Sequence, residues 1–167
     1  LVGSEMCIRD RFQTPLHPVL HVNARKEKIR SVKVNGVPTT WQSIESAHGY
    51  PLLSIQAEGT SSTTITIEWE GAPLHTLAVQ EPDITSNGKL ALQIPSGASI
   101  SQVYDPQSIL ANHTVEATAF NAQIKGEPGH HTFFVYTHQG EMDWWQPVNI
   151  YIENVWESPS YTCLLYT

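Results

Sequence analysis

No stretch of the 167 residues reaches the run of about eighteen apolar side chains that a membrane-crossing helix needs, so no helix of this sequence spans a bilayer. Cationic charge is scarce too. Nine Lys and Arg stand against sixteen Asp and Glu, a formal net charge of −7, which leaves no surplus for the phosphates of a nucleic acid. Runs of Lys, Glu and Ala are few, while eleven prolines and ten glycines interrupt the chain, so a helical bundle or coiled coil is excluded. Cysteine occurs only as Cys7 and Cys163, beside the two ends, and the interior can build neither a disulfide nor a thiolate metal site. There is no glycine loop between a strand and a helix to cradle phosphate, and no nucleophile-elbow pattern around a serine. A length that fits one ordinary domain or two small ones remains, with 40% hydrophobic residues to bury.

The ends read differently from the middle. Met6-Cys7-Ile8-Arg9-Asp10 and the start of Arg11 resemble the translation of a transposon-end sequencing adapter, ATG-TGT-ATA-AGA-GAC-AG. The reverse complement of that stretch reads TGT-CTC-TTA-TAC-ACA, which translates as Cys163-Leu164-Leu165-Tyr166-Thr167. Residues 1–11 and 163–167 are therefore expected to be adapter-derived and are set aside from fold reasoning. With them go both cysteines, and Met6 loses its meaning as a start. Residues 12–162 are expected to be a window cut from a larger protein.

Within that window strand signals dominate. Val19 to Asn23 is a short apolar–polar run, and Ser31 to Asn35 alternates with Val32 and Val34 on one face. Asn35-Gly36, the dipeptide suited to positive φ at both turn positions, predicts a tight hairpin. Leu52 to Ala57 is a further candidate. The clearest strand is Thr63 to Trp69, where Ile65, Ile67 and Trp69 face one way. Gly71 and Pro73 predict its end, and His75 to Gln80 resumes an extended pattern.

After Glu81-Pro82 a second set begins. Asn87-Gly88 predicts another turn, Lys89 to Ile94 alternates, and Gln107 to Leu110 suits a single helical turn. Thr114 to Phe120 and His131 to His138 read as strands, and Val148, Ile150 and Ile152 alternate with Asn149 and Tyr151. Phe133 to Tyr136 is apolar on both faces, which predicts a central position in its sheet. No helix of three turns is found; the nearest candidate, Trp41 to Ala47, lacks a sustained apolar stripe. The expected fold is all-β: two small antiparallel β-sandwich-like modules in tandem, residues 12–80 and 81–155, with a tail at 156–162. Each is marginal in size alone, so the two are expected to pack on each other or on further chain.

Few residues suggest chemistry. Among the eight histidines, His130, His131 and His138 invite a metal, but seven residues along a strand point His131 and His138 to opposite faces, and no cysteine assists. No metal or other cofactor is expected. Glu141 and Asp143 form a carboxylate pair beside aromatics, as glycoside hydrolysis requires, with α-carbons about 6.5–7 Å apart if both lie on one strand. The favoured reading is a solvated hairpin with its turn at Gln139-Gly140, because an isolated acidic pair in a loop is common and a catalytic cleft needs more groups. Trp144, Trp145, Tyr151 and Trp41 could stack on sugar rings. Adjacent Trp144 and Trp145 must face opposite sides of a strand, which assigns at least one of them to the core.

Two stretches carry a family resemblance. Ile29-Arg30-Ser31-Val32-Lys33-Val34-Asn35-Gly36 with Trp41, followed by Ile65-Thr66-Ile67-Glu68-Trp69-Glu70-Gly71, resembles the accessory β-sandwich beside the helical catalytic barrel of bacterial six-hairpin glycosidases, α-L-rhamnosidase-like proteins among them. Gly126-Glu127-Pro128-Gly129-His130-His131-Thr132-Phe133-Phe134-Val135, with Gln139-Gly140-Glu141-Met142-Asp143-Trp144-Trp145-Gln146-Pro147-Val148, is similar to the terminal segment of a large bacterial family carrying such a domain. The resemblance implies a periplasmic or extracellular glycoside hydrolase as parent, with its catalytic acids on a barrel that this window does not contain. This region would then be a non-catalytic brace whose partner is the catalytic domain of the same chain. Alternatives are a carbohydrate-binding module that holds polysaccharide on Trp144, Trp145 or Tyr151, an enzyme using Glu141 and Asp143, and an immunoglobulin-like cell-surface interaction module.

Overall fold

In the computed structural model, residues 5–57, 60–75, 77 and 82–154 are described. They form fourteen strands and no helix: β1 (Glu5–Leu16), β2 (Val19–Asn23), β3 (Lys26–Val34), β4 (Val37–Pro38), β5 (Trp41–Ile44), β6 (Leu52–Gln56), β7 (Thr60–Pro73), β8 (Asp83–Thr85), β9 (Lys89–Gln93), β10 (Ser99–Tyr104), β11 (Leu110–Glu116), β12 (Ala119–Ile124), β13 (Gly129–Gln139) and β14 (Met142–Glu153). The chain is all-β, as its alternating runs and turn residues require.

Four sheets form, ordered β1-β7-β3-β4, β2-β6-β5, β10-β13-β14-β8 and β11-β12-β9. Every strand pair is antiparallel except β14 with β8. The first two sheets enclose one core, including Val22, Leu53, Ile55, Ile65, Ile67 and Trp69. The other two enclose a second, including Leu90, Phe120, Ile124, Phe133, Val135, Val148 and Ile150. The dominant force is burial of these side chains, each contributing about 1.5–3 kcal/mol relative to exposure.

The long hairpin β13–β14 belongs to both cores. Its base supplies Phe133, Val135, Val148, Ile150 and Ile152 to the second, while Met142 and Trp144 at its tip lie in the first. Thr137, Gln139 and Gln146, buried polar residues, occupy the inward row near the crossing. Trp144 Nε1 donates to Gln146 Oε1 at 3.1 Å. Gln139 Nε2 donates to the Pro73 carbonyl (2.9 Å) and to Glu27 Oε2 (3.4 Å), and Gln139 Oε1 accepts from the His75 N–H (2.9 Å). Its amide is thereby satisfied on both sides despite burial. On the other edge, Trp145 N–H donates to the Ala47 carbonyl and Gly49 N–H to the Trp145 carbonyl.

Local sequence explains the turns. Asn35 and Gly36 both have positive φ (51° and 82°), so β3 returns through a two-residue turn that Asn-Gly tolerates best. The hairpin tip turns at Gly140-Glu141, one residue beyond the expected Gln139-Gly140, because only Gly140 takes the positive φ (62°) that a Gly-first turn demands. Asn87-Gly88 is a turn, but it carries the chain from one sheet to another rather than closing a hairpin.

Other expectations shift. Thr114 to Phe120 is not one strand: the chain reverses at Ala117-Thr118, and Val115 pairs with Phe120 across the β11–β12 hairpin. The segment near Gln107 is a turn in which Ser108 N–H meets the Asp105 carbonyl (3.4 Å), not a helical turn. β7 runs on to Pro73, its final residues pairing with Lys26 and Lys28 of β3. Most of His75 to Gln80 and the tail beyond residue 154 lie outside the described residues. Residues 5–11, set aside as adapter-like, pair residue by residue with β7 from Glu5↔Glu68 to Arg11↔Ser62. A strand edge offers backbone N–H and C=O groups to any extended segment, whatever its sequence.

Candidate functional site

Period-two alternation sorts β13 and β14 into a buried and an outward row. Outward from β13 come His130, Thr132, Phe134, Tyr136 and His138; opposite them stand Tyr151, Asn149, Pro147, Trp145 and Asp143. Tyr104 and Gln102 of β10 pair with Phe134 and Tyr136 from the other side, and His48 bridges to Trp145. Side chains from three strands and one loop therefore converge on one sheet face.

The centre of that face is aromatic. Trp145 lies 5.0 Å from Tyr136 and 6.3 Å from Tyr104, centroid to centroid. Tyr104 stacks on Phe134 at 6.2 Å with 29° between planes, and His48 meets Phe134 edge-on at 5.5 Å. Tyr104 is 58% exposed, while Trp145, Tyr136 and Phe134 beside it are half-buried. Polar groups border them: His138 Nδ1 lies 2.7 Å from Asp143 Oδ1 beside the Tyr136–Trp145 pair, and Thr132 Oγ1 donates to Asn149 Oδ1 (2.7 Å) beyond Phe134–Pro147. Burial first, then the Asp143 and Glu45 carboxylates, push the Tyr136 phenol above its ordinary pKa, so the hydroxyl remains a donor.

The sequence candidates separate clearly. Trp144 is fully buried with its N–H satisfied internally, leaving no ring face for a ligand. Trp145 is on the aromatic face. Tyr151 is on the same sheet side, 5.0 Å from the His130 ring and four residues farther along β14 than Pro147. Trp41 stands apart on β5, partly packed against the first core. Glu141 is exposed at the hairpin tip and is held through its backbone N–H to the Glu27 carbonyl. Asp143 lies on β14 with Oδ1 2.7 Å from His138 Nδ1, two residues on from Glu141 in the turn. His131 lies on the buried row opposite Ile150, with ring nitrogens 2.9 Å from Gln107 Oε1 and 2.8 Å from the Glu127 carbonyl, while His138 is on the outward row. Among the described residues, no three His, Cys, Asp or Glu side chains converge as metal ligands.

Tyr104, Phe134, Tyr136 and His48 were not singled out by sequence reasoning. For Phe134 and Tyr136 the signal was present, since they alternate with Phe133 and Val135. For Tyr104 and His48 there was none, because their place depends on which segments flank the hairpin.

Fold and face together define an all-β, multi-sheet protein that presents a cluster of aromatic rings bordered by polar side chains on one sheet. No protein-family model, curated protein or solved structure matches the chain.

Proposed function

We propose that this chain is a non-catalytic accessory β-sandwich region of a secreted bacterial carbohydrate-active enzyme, and that it holds polysaccharide on the Trp145–Tyr136–Tyr104 face. One observation carries the reading: an exposed Tyr104 ring and the half-buried rings of Trp145 and Tyr136 adjoin hydrogen-bonding groups. A sugar ring has a face of weakly positive C–H bonds that suits the negative face of an aromatic ring, and a rim of hydroxyls that needs donors and acceptors. Asp143, His138, Gln102 and the two tyrosine hydroxyls supply that second requirement at the borders of the rings. The segments resembling the accessory regions of six-hairpin glycosidases support the same setting, with catalysis placed elsewhere in the parent.

A bracing role is the second reading, favoured by the exposed Tyr104 ring stacked on the half-buried Phe134, which a neighbouring catalytic domain would cover. Affinity electrophoresis through gels containing xylan, β-glucan, arabinan or rhamnogalacturonan separates the two. Retardation of the wild-type chain by at least one polymer, lost in a Trp145→Ala/Tyr136→Ala variant, is the expected result. Wild-type mobility unaffected by every polymer would leave bracing as the role of this face.

A further inference from the structure

The aromatic character of the β13–β14 hairpin does not end at Trp145. Along the outward rows of the two strands, the ring pair Tyr136–Trp145 is followed, six residues on in each strand, by a second ring pair, His130–Tyr151. In both pairs the centroids are 5.0 Å apart and the planes are inclined at 58°. At about 3.3–3.4 Å per residue, the two pairs stand about 20 Å apart along the hairpin. Phe134 and Pro147 fill the row between them, followed by Thr132 and Asn149, whose side chains hydrogen-bond at 2.7 Å. The face is therefore a row with a ring pair at each end and a polar step inside it.

Spacing decides what such a row can hold. Sugar rings built from single bonds of about 1.4–1.5 Å advance about 5 Å per unit, so about five units in line cover the distance between the ring pairs. A mono- or disaccharide reaches one pair only. A longer chain held at one pair presents its further units to the other at high effective concentration, and contacts there strengthen binding without a second loss of translational freedom. Strands twist, so the row winds, and a single chain with free glycosidic torsions can follow it. Charge narrows the ligand further. The outward rows carry no Lys or Arg, while Asp143 and Glu153 stand at the two ends of the β14 row, so a uronate finds no Lys or Arg to pair with.

We propose that this face takes a single neutral, linear glycan laid along the hairpin, its chain running from Tyr136–Trp145 to His130–Tyr151. The inference rests on the reading of the face as sugar-binding and adds the course, length and charge of the ligand. Isothermal titration of the full chain with cello-, xylo- and manno-oligosaccharides of three and six units, and with hexagalacturonate, tests it. In at least one neutral series the hexasaccharide should bind at least about tenfold tighter than the trisaccharide. A longer chain also gains by having more registers in which to bind, so variants at the far ring pair decide. Tyr151→Ala should bring the hexasaccharide down to the trisaccharide level and leave the trisaccharide unchanged. His130→Ala, at an exposed side chain, should act in the same direction and keeps the test open where Tyr151→Ala disturbs the sheet. Equal binding of both lengths, a hexasaccharide advantage that survives both variants, or tightest binding of hexagalacturonate overturns the inference while leaving Trp145-dependent sugar binding in place. Failure of every oligosaccharide to bind, or binding indifferent to Trp145→Ala, removes the sugar reading of the face and this inference with it.

Discussion

Trp144 and Trp145 are neighbours in the chain, yet the pleat of β14 sends one into the first core and the other onto the outward face. Substituting each by alanine should therefore separate stability from binding. Trp144→Ala is expected to cost about 3–5 kcal/mol in urea unfolding, the usual consequence of an emptied aromatic core site. Trp145→Ala should cost about 1–2 kcal/mol, the value of its ring contacts, while removing the platform. Tyr136 gives a second test at this scale. Its raised pKa means that the neutral phenol is favoured in the fold, so its contribution is complete below the ordinary tyrosine value and is lost as pH rises through the folded value. Absorbance titration should find one tyrosine, missing in Tyr136→Phe, titrating later than the ordinary value. Asp143→Asn should bring that titration earlier, because a carboxylate that opposes the phenolate is gone.

At the scale of elements, the β13–β14 hairpin depends on how its tip is fastened. Gly140 has φ 62° and a methyl there would overlap the Glu27 carbonyl oxygen, so Gly140→Ala is expected to destabilise the fold by about 1–3 kcal/mol. The Ala72 backbone N–H first, then the Gln139 amide and more weakly His75, hold the Glu27 carboxyl below its ordinary value of 4.5. A lowered folded value means that this stabilisation is present above about pH 4.5 and fades as pH falls through the folded pKa. Acid unfolding followed by tryptophan fluorescence should accordingly be steeper below that pH in wild type than in Glu27→Gln. Much of this level was legible in advance. Asn35-Gly36 marked its hairpin because a two-residue turn with two positive φ values admits few residue pairs. Asn87-Gly88 carries the same letters but links different sheets, and nothing local distinguishes a turn between paired strands from one between sheets. Thr114 to Phe120 misled for a related reason: Ala117-Thr118 has no Gly, Pro or Asn to announce the reversal. Tyr104 joins the site through its register with Phe134, beyond an irregularity between Ile100 and Gln102 that a single strand does not advertise.

At the scale of the whole molecule, two cores share one hairpin, so a disturbance at the tip should be felt in both. The polar residues Gln139 and Gln146 near the crossing give it defined hydrogen bonds where apolar packing alone would be indifferent to register. The first sheet carries another consequence. If residues 1–11 are adapter-derived, removing them should leave both cores folded while opening the outer edge of β7. Hydrogen exchange should then speed up at β7 amides facing β1 and stay slow at those facing β3, and the shortened chain should associate more readily through the exposed edge. Global unfolding on removal would instead make that strand integral to the protein.

The proposal that the outward face holds sugar is tested most directly by the tryptophan indole N–H resonances of the isotope-labelled chain, followed during titration with the polysaccharide fragment that retards it in a gel. Binding on the outward face requires the Trp145 signal to shift saturably while the buried Trp144 signal stays fixed. A fragment that binds without moving Trp145 would contradict it.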